Sequence, residues 1–400
     1  MKCTYLLFLA VAQACDVPLI RPLESGTAAD GVVVAATNLT QSANVGLMSL
    51  TGQVLSRSLI STASHPPELT TVLGGDLAFP SMAAKGREVV ILDRYPRSVL
   101  TWVNVNTANV RAQLSVATGF LANPHDYVPI LANKVYVSRF DPNTDSGQQP
   151  FDSGSDILIV DPGIPAITGR IDIVAAMPKY ASFIVHPDRA RLVGNRVYIV
   201  LPYYDLVYNA GPSYVASIDP ETDQIVDLTL LESLSGCSGL DVAPDESSIA
   251  VACSGGWHGS NTANSRTSGI VGVQLQPKLS EIWRIRATTV GNRAFGFEVG
   301  YVDARHVVAP QLGESGPPLV NDAVFLIDTT TGGSTMLLES ADVPVTLSVG
   351  PCDSISNFCF IADAQRKSIH RLSYDGAQYS LSSYSWTDPT GLPPRLLSFF

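Results

Sequence analysis

The feature that most constrains this chain is a phrase that returns at intervals of about fifty residues or a small multiple of that. It is an apolar run, then Asp and a turn, then a second run. Asp156-Ile157-Leu158-Ile159-Val160-Asp161-Pro162 leads into Thr168-Gly169-Arg170-Ile171. Tyr214-Val215-Ala216-Ser217-Ile218-Asp219-Pro220 leads into Ile225-Val226-Asp227-Leu228, and Ala323-Val324-Phe325-Leu326-Ile327-Asp328 into Thr335-Met336-Leu337-Leu338. Val89-Val90-Ile91-Leu92-Asp93 reads as a worn copy. Each copy is a hairpin that cannot bury its apolar face alone, so several must stack side by side. Asp161, Asp219, Asp328 and Asp93 sit where an Asx carboxylate bonds the backbone of a tight turn, which makes them structural.

Composition agrees with an all-β chain. Of 400 residues, 46% are hydrophobic and only 15% charged, with 31 Gly and 27 Pro to supply turns. The net charge of −11 is spread without a basic face, which excludes nucleic acid as a partner.

Seven second strands of blades can be cut from the chain: Val32–Ala35, Leu77–Phe79, Val135–Ser138, Val197–Val200, Ile249–Ala252, Val307–Ala309 and Phe358–Ile361. The first blade then lacks an innermost strand. Pro393-Pro394-Arg395-Leu396-Leu397-Ser398-Phe399-Phe400 copies the way other blades begin, as in Pro66-Pro67-Glu68-Leu69. The expected fold is a seven-bladed β-propeller over 31–400, built of four-stranded antiparallel blades and closed by residues 396–400 pairing near 32–36. Closure removes the exposed sheet edges.

Residues 1–14 read as a lipoprotein-type signal peptide, with Lys2 ahead of the apolar run Tyr5–Val11. Ala12-Gln13-Ala14-Cys15 resembles a lipobox, which would make Cys15 the acylated residue and 15–30 a tether. Ordinary secretion with cleavage after Ala14 is the alternative. Four further cysteines form two local pairs, and Cys237–Cys253 and Cys352–Cys359 are the expected disulfides, which persist in an oxidising compartment. The expected location is therefore the periplasm or cell surface, with membrane contact through the lipid anchor alone.

The phrases Val135-Tyr136-Val137-Ser138 and Ser217-Ile218-Asp219-Pro220-Glu221-Thr222 resemble those of the YVTN-repeat, YncE-like seven-bladed propellers, and within them a group of uncharacterised bacterial lipoproteins. The resemblance is strongest over 123–375. It implies an exported propeller, and it carries no catalytic motif to transfer.

Function must be sought in the loops. The connections at 139–155, 202–212, 254–268 and 311–321 are long and emerge on one face, where binding sites on rigid scaffolds lie. Tyr203, Tyr204, Trp257, His258 and His125 are the candidate ligand contacts, and with Tyr208 of the same blade-four loop they offer flat amphipathic side chains suited to protein, peptide or carbohydrate; packing onto the propeller is their alternative role. Gly255-Gly256 would let the chain turn sharply before Trp257. Asp126, Asp241 and Glu298 begin inner strands and form a candidate metal set for Ca²⁺ or another divalent cation, the alternative being carboxylates facing channel water. Residues 141–152 bear a partial likeness to a calcium loop, with Asp152 at the twelfth place and the glycine one place late. No nucleophile elbow, zinc-protease helix or phosphate loop is present. The expected function is a monomeric, lipid-anchored binding or scaffold protein of the cell envelope, with no resident cofactor. The alternative is a metal-dependent hydrolase of lactonase type, an analogy of fold.

Overall fold

In the computed structural model the described residues are 31–83, 87–256, 261–291, 293–314, 319–340 and 346–400. The signal segment, Cys15 and the tether, together with Trp257 and His258, lie outside them.

The strands form seven antiparallel sheets in chain order around a ring. The innermost strand of the first sheet is the C-terminal Pro394–Phe399, which pairs with Gly31–Thr37 in the register Val32↔Phe399 and Val34↔Leu397. The ring is thus closed by joining the two ends of the chain in one sheet. The reason is visible in Gly31–Thr37, every residue of which is buried. Such a strand has apolar side chains on both faces, because each blade is covered on both sides by its neighbours. Val32 and Val34 pack with Phe360 and Trp386 of the seventh blade, and Val33 packs with Leu77 and Ile91 of the second. The same logic makes Ser248–Cys253 continuously buried in the fifth blade.

The three strong hairpin phrases are third and fourth strands, Gly154–Asp161 with Ala166–Ile171, Ala210–Asp219 with Gln224–Ser235, and Ala323–Asp328 with Ser334–Glu339. Their aspartates do the expected work: Asp161, Asp219 and Asp328 accept the N–H groups of Gly163, Glu221 and Thr330 at 2.8, 2.9 and 2.9 Å.

Blade two departs from the expectation by one strand. Leu77–Ala78 is its innermost strand, and Glu88–Asp93 is its second. Pro66–Leu69 lies in a turn before the blade. The mistake has a physical origin: Glu88–Asp93 is buried on both faces, as third strands are, so its composition does not reveal its place. Asp93 is accordingly no turn residue. It is 1% exposed and accepts the Gly74 N–H at 2.6 Å.

Both disulfides form as expected. Cys237–Cys253 and Cys352–Cys359 each join directly opposite residues of an innermost strand and its neighbour, in the fifth and seventh blades. Bonds of this kind persist in an oxidising compartment. Among the described residues no helix is long and apolar enough to cross a membrane.

Candidate functional site

The loops of blades two to four meet on the expected face. Strands Lys134–Pro142 and Arg196–Tyr204 run further into that face than the sequence pattern indicated, leaving the connections 143–153 and 205–209. Between them lies a pocket of about 410 Å³. Blade three contributes Asp141, Pro142, Asn143 and Thr144; blade four contributes Asp205, Leu206 and Tyr208. Tyr95 reaches it from blade two, Phe120 and Leu121 come from the segment that leads into the inner strand of blade three, and Ile184 and His186 come from the inner edge of blade four.

Backbone irregularities set up this wall. The innermost strand of blade four is split into Ile184–Val185 and Ala190–Val193, both paired with Arg196–Tyr204. The intervening His186-Pro187-Asp188-Arg189 bulges, and the opposite strand shifts register between Pro202 and Tyr204. The inner strand of blade three shifts between Pro124 and Asp126. Bulges re-aim side chains, and here they turn His125 and Asp188 toward each other, Nδ1 to Oδ1 at 3.0 Å. Burial works to raise the Asp188 carboxyl, but His125 and Arg189 outweigh it and hold it below its ordinary value.

Phe140 is the centre of an aromatic stack. His125 lies parallel to it at 4.1 Å, while His186 and Tyr204 tilt against it at 4.5 and 5.8 Å. His186 is 3% exposed, and its Nδ1 has no hydrogen-bond partner. Burial lowers its pKa to about 4, with the Phe140 backbone pulling weakly the other way, so the ring is neutral at physiological pH. Beside it the Tyr208 hydroxyl donates to Asp141 at 2.9 Å. Burial pushes the Asp141 carboxyl up, against that hydrogen bond. Tyr208 is held at φ 61° by the turn that Asp205 makes, whose carboxylate accepts the N–H groups of Val207 and Asn209 at 3.0 and 2.8 Å.

Behind the pocket, Arg139 is fully buried and bidentate on Asp156, Nε–Oδ1 and Nη2–Oδ2 both 2.7 Å. It also donates to the Val116 and Phe151 carbonyls and stacks over Phe120, so one cation fixes the loops on either side of the pocket.

The arrangement has the fold of known proteins. A candidate 6-phosphogluconolactonase from Bacteroides fragilis is 13% identical, with a TM-score of 0.56 over 94% of this chain and 99% of its own. Another from Bacteroides uniformis is 11% identical, with 0.57 over 93% and 99%. A Lactobacillus plantarum protein is 11% identical, with 0.55 over 93% and 99%. At these identities the likeness is one of fold alone. No protein-family profile matches the chain, and no curated protein matches it.

The residues expected from sequence are distributed differently. His125 is at the site, but its ring is spent on Asp188 and Phe140. Tyr203 and Tyr204 are each 2% exposed, which corrects their reading as direct ligand contacts. The Tyr203 hydroxyl donates to the Pro178 carbonyl at 2.6 Å, and Tyr204 backs the pocket behind His186. They face inward because the second strand of blade four continues through them, with blade neighbours on both sides. Gly255 and Gly256 do carry the sharp turn, at φ 83° and 130°; a Cβ on Gly255 would stand 2.2 Å from the Asn264 carbonyl oxygen. Tyr208 lines the pocket as the loop aromatics were expected to, whereas Asp141 and His186 were not singled out as contacts. Their only common sequence signal is proximity to strand ends.

Asp126, Asp241 and Glu298 are not brought together as a metal set. Among the described residues no three His, Cys, Asp or Glu side chains are grouped to hold an ion. Each instead stitches one blade to the next. Asp126 accepts the Ser81 N–H at 2.8 Å and the Ala190 N–H at 2.7 Å. Asp241 accepts the Tyr301 N–H at 2.8 Å and pairs with Arg191 at 3.2 Å. Glu298 takes a hydrogen bond from the Val349 backbone; burial pushes its carboxyl to about 7, with Arg189 and Arg94 opposing and Asp322 adding. Neighbouring inner strands have no ladder between them, so their start is where a side-chain acceptor is needed. Asp152, placed in the calcium-like loop, is likewise committed. Its carboxylate accepts the N–H groups of Gly147, Gln148 and Gln149 at 2.9, 2.7 and 2.8 Å.

Proposed function

We propose that this protein is an exported binding propeller of the cell envelope, whose ligand sits in the pocket between blades two, three and four. The observation that carries the reading is His186, a buried imidazole in the pocket wall whose Nδ1 has no partner. A buried polar atom left unpaired costs about 1–3 kcal/mol, a cost that a bound ligand relieves. Four exposed apolar or aromatic side chains, Tyr95, Leu121, Leu206 and Tyr208, border the same opening. Such a rim suits a small molecule or a peptide or protein segment. The two disulfides support export. Membrane attachment through Cys15, a monomeric state and kinship with the YVTN-repeat propellers complete the proposal. Cys15→Ser should leave the protein without incorporated fatty acid and in the soluble fraction.

The second reading is a hydrolase of lactonase type. Glu298, with its carboxyl near 7, is the group in the channel best suited to proton transfer, and two fold neighbours bear the lactonase name. The donor set favours the first reading, because Asp126 is saturated by protein N–H and O–H groups rather than open to a cation.

Ligand-observed NMR with a fragment library, run on the wild type and on Leu206→Arg, tests the binding reading. Leu206 is 70% exposed at the pocket edge, so the substitution blocks the opening without touching the core. Binders lost in the variant support it, and binders that ignore it refute it. Hydrolysis of gluconolactone or 6-phosphogluconolactone, abolished by Glu298→Gln, would establish the second reading.

A further inference from the structure

The chemistry of the pocket wall points to the class of ligand, an inference that rests on the pocket being the binding site. The wall holds two carboxylates, Asp141 and Asp205, and the lining residues include no Lys or Arg. Arg94 and His125 act on Asp141 electrostatically, but Arg94 is paired with Asp76 and His125 with Asp188. A neutral imidazole with its proton on Nε2 accepts at Nδ1, and Nδ1 of His186 has no partner in the protein. Two groups can accept from a ligand here, Nδ1 of His186 and the Asp141 carboxylate, while Asp205 adds negative charge to the wall. Around them stand Tyr95 and Tyr208, with Leu206 at 70% and Leu121 at 46% exposure.

An anionic ligand meets two like charges here and finds no cation to bind. A neutral apolar ligand leaves Nδ1 without a donor and the Asp141 carboxylate without a counter-charge. A donor-rich cation satisfies both, and the tyrosine faces add attraction for it. We propose that this pocket binds a primary ammonium or guanidinium group carried on an apolar stem, with Asp141 as the charge partner, Nδ1 of His186 as a second acceptor, and the stem against Leu206 and Leu121. A free alkyl amine and the side chain of a basic peptide share this chemistry.

The test is isothermal titration of the full mature chain with agmatine, n-butylammonium and the blocked peptide Ac-Gly-Lys-Gly-NH₂, against butyrate and n-butanol as charge-reversed and neutral controls. The cations should bind, and the controls should bind at least tenfold more weakly. Asp141→Asn keeps an acceptor for the Tyr208 hydroxyl and should weaken the cations about tenfold or more while leaving circular dichroism unchanged. His186→Phe, which keeps a flat ring against Phe140 but removes Nδ1, should weaken them by a smaller factor. Agmatine bound more tightly than the peptide identifies a free amine as the source, and the reverse order a basic peptide; either supports the inference. Cation binding that is absent, or unchanged in Asp141→Asn, overturns it. Butyrate or butanol bound in preference, and lost in Leu206→Arg, overturns the cation assignment while leaving the pocket as the binding site.

Discussion

Asp93 carries a penalty that a pH titration can read. Its carboxylate ends the second strand of blade two at 1% exposure, with one oxygen accepting the Gly74 N–H at 2.6 Å and the other without a partner. Burial raises its pKa to about 6 from 3.8, with Gly74 and Arg97 opposing and Asp76 adding. A carboxyl whose folded pKa is raised contributes stability in full below the unfolded value and loses it as pH rises through the folded one. A rise of that size corresponds to about 3 kcal/mol in all, at 1.36 kcal/mol for each unit, of which about 2 kcal/mol falls between pH 4 and pH 7. Asp93→Asn removes the titration. The quantity to measure is the difference in unfolding free energy between variant and wild type, from urea titrations with disulfides intact at several pH values. Other titrating groups cancel in that difference, and the fit of the amide enters as a constant offset. The difference should shift by about 2 kcal/mol in favour of the variant from pH 4 to pH 7, with most of the change between 4 and 6. A difference flat to within about 0.5 kcal/mol over that range would mean that the carboxyl is not the buried acid described.

The disulfides close loops of sequence separation 16 and 7, so replacing each pair by Ser should cost roughly 3 and roughly 2 kcal/mol in urea unfolding, with the larger loss at Cys237 and Cys253; equal stability in either double variant refutes that contribution. Arg139→Met strands Asp156, which retains only Arg170 at 3.4 Å as a cationic partner, and should cost about 3 kcal/mol or more and abolish binding at the pocket; a neutral effect on the melting curve contradicts it. Deleting residues 393–400 leaves Val32 and Val34 without the strand that pairs them, and should turn a single cooperative unfolding transition into a broad one with self-association on size exclusion. A truncated chain that stays monomeric and melts as the wild type does argues against closure by that strand.

The repeat phrase determined much of the architecture by itself. A strand buried on both faces reads as a continuous apolar run, and Asp at a tight turn reads as punctuation, because both are local consequences of side-chain chemistry. The Pro-led C-terminal copy even indicated which strand closes the ring, and the cysteine spacing gave both disulfides, since partners on adjacent antiparallel strands are close in sequence. Blade two misled for the same local reason: second and third strands are equally apolar, so only pairing tells Glu88–Asp93 from its neighbour. The face on which the long loops gather followed from loop lengths, but the pocket did not. Asp141, His186 and Tyr208 come from two blades, and their meeting depends on a split inner strand and on register shifts that leave no mark in the sequence. Tyr203 and Tyr204 looked like loop aromatics until strand pairing carried them inside. Asp126 and Glu298 do stand at the starts of inner strands, whereas Asp241 lies near the end of its own, Cys237–Val242. Only the tertiary structure decided what they do there, because a carboxylate near the axis binds whichever donor the next blade presents, and here that donor is a backbone N–H.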